Sequence, residues 1–299
     1  MIKLILPFCL FVILGFVAGD DAQSQTIPVY ALAEAPTLDG NDDDWRSIPA
    51  TTVALKPVKA DGTLSTASVQ VKGGTHGNRV YFLFEWEDRT ENNLHKPWVW
   101  DEASGKYILG PQREDRLAIQ FGMGGKYSTN WLSGEEFTAD TWHWKSSRSN
   151  PLGLAHDKKL TISRKKLLRA SKLRLPDGGH IYISRPSDNG DKLYTTKRYR
   201  GYEQPLMPKY ILSDSPKGSI SDVSARGVWS GNRWRLELSR LLDTGNEDDI
   251  IFPQTQGKIV GGIAVFDQSE NDDHVISDTL TFAFHYRSWA KVSESRQFQ

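Results

Sequence analysis

The stretch Val80-Tyr-Phe-Leu-Phe-Glu-Trp86 limits the fold more than any other. Val80, Phe82, Phe84 and Trp86 fall on one face, and Tyr81, Leu83 and Glu85 on the other. That period of two suits a β-strand and no helix. Residues 68–71, 117–121, 180–183, 234–238, 259–266 and 279–284 follow the same pattern. Between them stand Gly, Asn and Asp clusters at 76–78, 122–125, 230–232 and 268–273, which suit tight turns. Many short strands with turn punctuation predict an all-β fold, an antiparallel β-sandwich with long loops. One short helix is expected over residues 158–172, which are dense in Lys, Arg and Leu.

The first 19 residues read as a signal peptide. Lys3 supplies the positive start, an apolar run follows, and Val17-Ala18-Gly19 offers small residues for cleavage. The run is short for a membrane span, so a soluble, periplasmic or otherwise exported chain is expected, with no stable membrane span after cleavage. Anchoring by an uncleaved signal is the alternative. The sandwich domain is placed at 26–285 and a polar, loose tail at 286–299.

The chain's one cysteine, Cys9, lies inside the apolar run. The mature chain then has no disulfide, no thiolate metal site, no thiol nucleophile and no covalent haem attachment. With 37 basic and 37 acidic residues the formal net charge is zero, which argues against nucleic acid as a partner. Glu114-Asp115 and Glu135-Glu136 do not suit glycoside hydrolysis, because adjacent strand residues point apart. No Gly-x-Ser-x-Gly or His-Glu-x-x-His motif occurs, so the sequence makes no case for catalysis by the polypeptide itself. Asp39, Asp42, Asp43 and Asp44, and the acidic run 267–273, lack the spacing of a calcium loop and read as solvated turns.

Several segments in order carry a resemblance: Leu38-Asp-Gly-Asn-Asp-Asp-Asp-Trp45, the strand leading to Trp86-Glu-Asp-Arg-Thr90, Lys96-Pro-Trp98, Glu114-Asp-Arg-Leu-Ala-Ile119, Asp140-Thr-Trp-His-Trp-Lys145, Asp222 to Trp229, Trp234 to Leu242, and Ala264-Val-Phe-Asp267. The opening motif resembles that of family 9 carbohydrate-binding modules. The ordered set resembles the haem-binding domain related to the γ subunit of ethylbenzene dehydrogenase. That resemblance implies a periplasmic b-type cytochrome domain with one non-covalent haem b. It also implies electron transfer to a redox partner protein, with molybdenum/iron–sulfur dehydrogenase complexes among the candidate partners. Methionine and lysine hold the iron in those γ subunits. The alternative reading is a carbohydrate-binding module of family 9 type without haem.

Iron would need imidazole, thioether or amine donors. His274 sits where the resemblance places the ligating lysine, just after the Ala-Val-Phe-Asp strand. Met123, between two glycines, is the methionine candidate, although it lies upstream of the family position. His76, in the turn before residue 80, is the substitute, and Met207 is a further option. Trp142 and Trp144 are expected to pack in the core or against a haem edge, with Phe121 and Phe266 beside them. His143 points the other way, where Lys145 also points, and is a lesser candidate for the iron, as an outward histidine on a core strand.

Overall fold

The computed structural model describes residues 24–59, 61–269 and 273–285, so the signal peptide and tail expectations lie outside the described residues. Twelve strands form the main path: β1 (Thr26–Ala31), β2 (Ser68–His76), β3 (Arg79–Glu87), β4 (Arg116–Gly125), β5 (Phe137–Lys145), β6 (His156–Ser163), β7 (Ser171–Arg174), β8 (His180–Ser184), β9 (Ser224–Ser230), β10 (Arg233–Leu241), β11 (Gly257–Phe266) and β12 (Leu280–His285). Their hydrogen-bonded order is β7-β8-β6-β5-β4-β11-β12-β1-β2-β3-β10-β9. The path folds back on itself, so β3, β10 and β9 lie over β4 and β5. Phe82 of β3 meets Phe121 of β4 at 5.7 Å and Trp142 of β5 at 6.2 Å between ring centroids.

The core between the layers is what the alternating strands predict. Val80, Phe82, Phe84 and Trp86 are buried there with Trp142, Trp144, Trp234 and Phe282. Trp144 sits edge-on to both Trp86 and Trp234. Gly227 of β9 makes room for it, since a Cβ at that position would run into Trp144 Cζ2. Gly227→Ala is therefore expected to lower stability by about 1–3 kcal/mol through overpacking, measured as a lower urea midpoint.

Two features depart from the expected architecture. The sheet is mixed rather than wholly antiparallel, because β1 runs parallel to both β12 and β2. Ile27, Val29 and Tyr30 are buried in it. The second departure is the helix expected at 158–172. Residues up to Ser163 belong to β6, and β7 begins at Ser171. Leu160 and Ile162 alternate at period two and pair with Ala139 and Phe137 of β5. Partner strands override the helical propensity of Lys, Arg and Leu. Among the described residues, helical structure is confined to three-residue 3-10 turns.

The opening motif forms one such turn. Trp45 is buried under the outer face of β3, against Tyr30, Tyr81 and Leu83. Glu237 fixes it, accepting bonds from Trp45 Nε1 at 2.9 Å and from the backbone of Asp39 and Gly40. The aspartates of this motif thus shape a turn, with Thr37 N donating to Asp44.

Candidate functional site

The outer face of β5 and β6 changes character along its length. Directly paired residues share a face, so Phe137 with Ile162 and Ala139 with Leu160 make an apolar end. His143 with His156, flanked by Lys145 and Lys158, makes a basic end. A cover lies over that end, built from His95, the strand pair Tyr194–Thr196 and Tyr210–Leu212, and the chain around Arg185–Ser187. Between cover and sheet lie Arg116, Lys145 and Arg148, all nearly buried.

His143 has an open valence at one ring nitrogen. Its Nε2 is buried and has no hydrogen-bond partner among the described residues. Burial is the main cause of a pKa well below the usual imidazole value, and Lys145, Lys158 and Arg116 add repulsion. The ring is therefore neutral and keeps a lone pair. It stacks on Phe266 at 5.7 Å and 28°. His274 stacks on the same Phe266 at 4.3 Å and 23°, and the Arg116 guanidinium lies 4.2 Å from that ring's centre.

The surrounding groups form a connected network. Lys145 Nζ lies 2.7 Å from His156 Nδ1 and 3.2 Å from the Tyr194 hydroxyl. His156 Nε2 reaches Ser187 Oγ at 2.7 Å. Burial, then Lys158 and Arg148, push the Lys145 amine well below its usual pKa. Burial also takes Lys158 down to about 8. Glu114, fully buried, receives Arg148 Nε and the backbone and hydroxyl of Ser147. His95 Nδ1 lies 3.4 Å from the same carboxylate, yet burial and Arg148 take its pKa to about 2. We read His95 as neutral, because desolvation outweighs a carboxylate already engaged by Arg148. The result is a buried face rich in cations and neutral imidazoles, with one carboxylate in direct contact.

The residues singled out in the sequence are not brought together. His274 is half-buried before Val275, beside the end of β11, because Phe266 pairs with Arg116 at the start of β4. Met123 lies seven residues along β4, at its bulge, packed against the main core. At about 3.3 Å per residue that is roughly 23 Å away. Two donors to one iron must lie within roughly 5 Å of each other, so His274 and Met123 cannot serve one iron in this conformation. His76 ends β2, with Nδ1 3.2 Å from the Leu32 carbonyl. It sits near the start of β11, at the end opposite His274. Met207 pairs with Trp98 in a separate three-stranded sheet. Trp142 and Trp144 are fully buried in the core on the face opposite His143, as is Phe121, so they do not line this site. His143 and His274 lie on either side of Phe266, which separates them.

Sequence reasoning missed His95, His156, Lys158 and the Tyr194–Tyr210 cover. The signal was present in the strands: reading 137–145 against 156–163 as a pair puts His and Lys side by side on one face.

Among the described residues no helix is long and apolar enough to cross a membrane. A search of curated proteins gives no match. Among solved structures the chain is similar to a carbohydrate binding module family 9 from Caldicellulosiruptor kristjanssonii in complex with glucose, at 11% identity and TM-score 0.38, covering 88% of this chain and 97% of that one. It is similar also to that module with cellotriose, at 11% identity and TM-score 0.39, covering 89% and 96%. The family described as Ethylbenzene dehydrogenase matches residues 42–275, from the Trp45 turn to the strand after His274. The chain belongs to the ethylbenzene dehydrogenase family.

Proposed function

We propose that this chain is an exported, non-catalytic haem-binding domain, a b-type cytochrome that carries electrons for a dehydrogenase complex. His143 would hold its iron; His274, on the other side of Phe266, does not reach the same iron in this conformation. The observation that carries this reading is the buried His143 Nε2, which has no partner among the described residues. An orphaned buried polar atom is costly and rare in a folded protein, and iron would complete it. The donor set fits as well. The imidazole is neutral, and the face around it carries the positive charge of Arg116, Arg148 and Lys158, of the sign that attracts the carboxylates of haem. Haem, when bound, supplies one-electron chemistry at iron.

The chain's own part is to hold and to shield. Pairing with Ala118 and His156 fixes His143 on β5. The core packing of Trp142 and Trp144 anchors that strand from one side, and the cover closes over the other. Phe266 fills the space between the two imidazoles. The Tyr194 and Tyr210 rings, held under the Arg148 guanidinium at 5.1 and 4.9 Å, keep water from the basic end.

The test is an absorption spectrum of the haem-reconstituted protein, oxidised and dithionite-reduced. The expected result is one haem per chain, with a sharp Soret shift and resolved α and β bands on reduction. Failure to take up stoichiometric haem sinks the reading. A sugar screen would then be directed at the cleft of about 600 Å³ lined by Asn93, Asn150, Arg226 and Trp229.

A further inference from the structure

Away from that face, three strand ends meet at a second site. Asp88 follows β3, Asp115 precedes β4 and Asp267 follows β11. Each offers a carboxylate oxygen, and these lie within 4.8 Å of one another. Asp88 is 3% exposed and Asp115 is fully buried. Like charges this close and this dry repel strongly, so they need either protons or a counter-ion.

The protein contains a second triad that shows the usual solution. Asp140, Asp157 and Asp249 are as close together, and the Arg240 guanidinium sits among them. Among the described residues no ion pair joins Asp88, Asp115 or Asp267 to a Lys, Arg or His; the charge acting on Asp88 is that of Asp267, and on Asp115 that of Asp88.

Protons do not suit the hydrogen bonding. Asp115 accepts at both oxygens, from Gln268 N at 3.3 Å, Asn92 N at 2.8 Å and Trp234 Nε1 at 3.1 Å. Three donors aimed at one carboxyl favour the ionised form. Asp88 Oδ2, Asp267 Oδ1 and Ser269 Oγ are meanwhile buried oxygens without a partner among the described residues. The last is a neutral oxygen donor two residues beyond Asp267.

We propose that Asp88, Asp115 and Asp267 bind a divalent cation, Ca²⁺ by the chemistry of the site. The donors are all oxygen, with no imidazole or thiolate in the cluster, which suits a hard cation and not zinc. The ion would tie β3 to β4 and β11, joining the two layers at one end of the sandwich. Haem plays no part in this site.

The test uses the full chain, dialysed against EDTA and then titrated with CaCl₂. Urea unfolding should shift to a higher midpoint with Ca²⁺, as a ligand that binds only the folded state must cause. Tb³⁺ should give luminescence on tryptophan excitation, because Trp234 touches Asp115, and Ca²⁺ should quench it by displacement. Asp88→Asn separates an ion site from a merely structural role by its sign. It should be at least as stable as wild type in EDTA and should lose the Ca²⁺-dependent rise. Asp267→Asn, at a less buried position, should lose the same rise. The idea is overturned if wild type shows no CaCl₂ response beyond that of NaCl at matched ionic strength, or if both variants keep the full response.

Discussion

Arg240→Met should cost about 3–5 kcal/mol of folding stability, because it leaves buried carboxylates without their counter-charge. Arg240 is fully buried. Its Nη1 lies 2.6 Å from Asp140, 3.0 Å from Asp249 and 3.5 Å from Asp157, and Nη2 donates to the Ile250 carbonyl at 2.6 Å. Arg240 comes from β10 in one layer, and Asp140 and Asp157 come from β5 and β6 in the other. The cluster therefore clamps the layers together. Burial and the neighbouring carboxylates already hold Asp157 well above the usual range and Asp249 at about 6. Without the guanidinium both must take up protons at neutral pH or suffer full repulsion. Urea denaturation should show a lower midpoint with an unchanged slope. Asp140→Asn in the same chain should restore part of the loss by removing one of the stranded charges. A loss under about 1 kcal/mol, in the range of an exposed ion pair, would mean that water reaches the cluster.

His143→Ala should separate haem binding from folding. Wild type is expected to hold one haem per chain. The variant should bind at least about 100-fold more weakly, some 2.7 kcal/mol, and lose the six-coordinate spectrum. Its stability without haem should not suffer, because the substitution removes a buried Nε2 that has no partner among the described residues. His274→Ala should keep haem and leave the spectrum alone, since Phe266 stands between His274 and His143. Met123→Ala and His76→Ala should leave the spectrum alone, since Met123 lies at the far end of β4 and His76 ends β2, which carries no residue of the site. A His143→Ala protein with full haem and an unchanged spectrum would remove His143 from the iron.

Much of the sandwich was legible from period two alone. The 80–86 strand, its turns and its buried aromatic face follow from alternation. The 158–172 segment was not, because Lys, Arg and Leu favour a helix in isolation and only pairing with 137–145 makes it a strand. The parallel setting of β1 was also hidden, since nothing local in Thr26–Ala31 says which strands will flank it. At the site, alternation correctly turned His143 away from Trp142 and Trp144. Neither the cover that buries it nor the distance between His274 and Met123 is a local property. The acidic run at 267–273 read as a solvated turn for the same reason: Asp267 meets Asp88 and Asp115 only after three distant strand ends converge.

The position of β1 also governs when the fold can close. It lies between β2 and β12, so residues 26–31 are hydrogen-bonded to residues 280–285 across nearly the whole domain. This pairing has the longest sequence separation in the sheet, and loop-closure entropy delays such contacts. As the chain emerges, its first strand can pair with β2 but leaves an open edge until the last strand arrives. The half-made sheet is then the species most exposed to edge-to-edge association. A circular permutant that joins β12 to β1 through a crossover linker, as parallel strands require, would shorten this separation to the length of the linker.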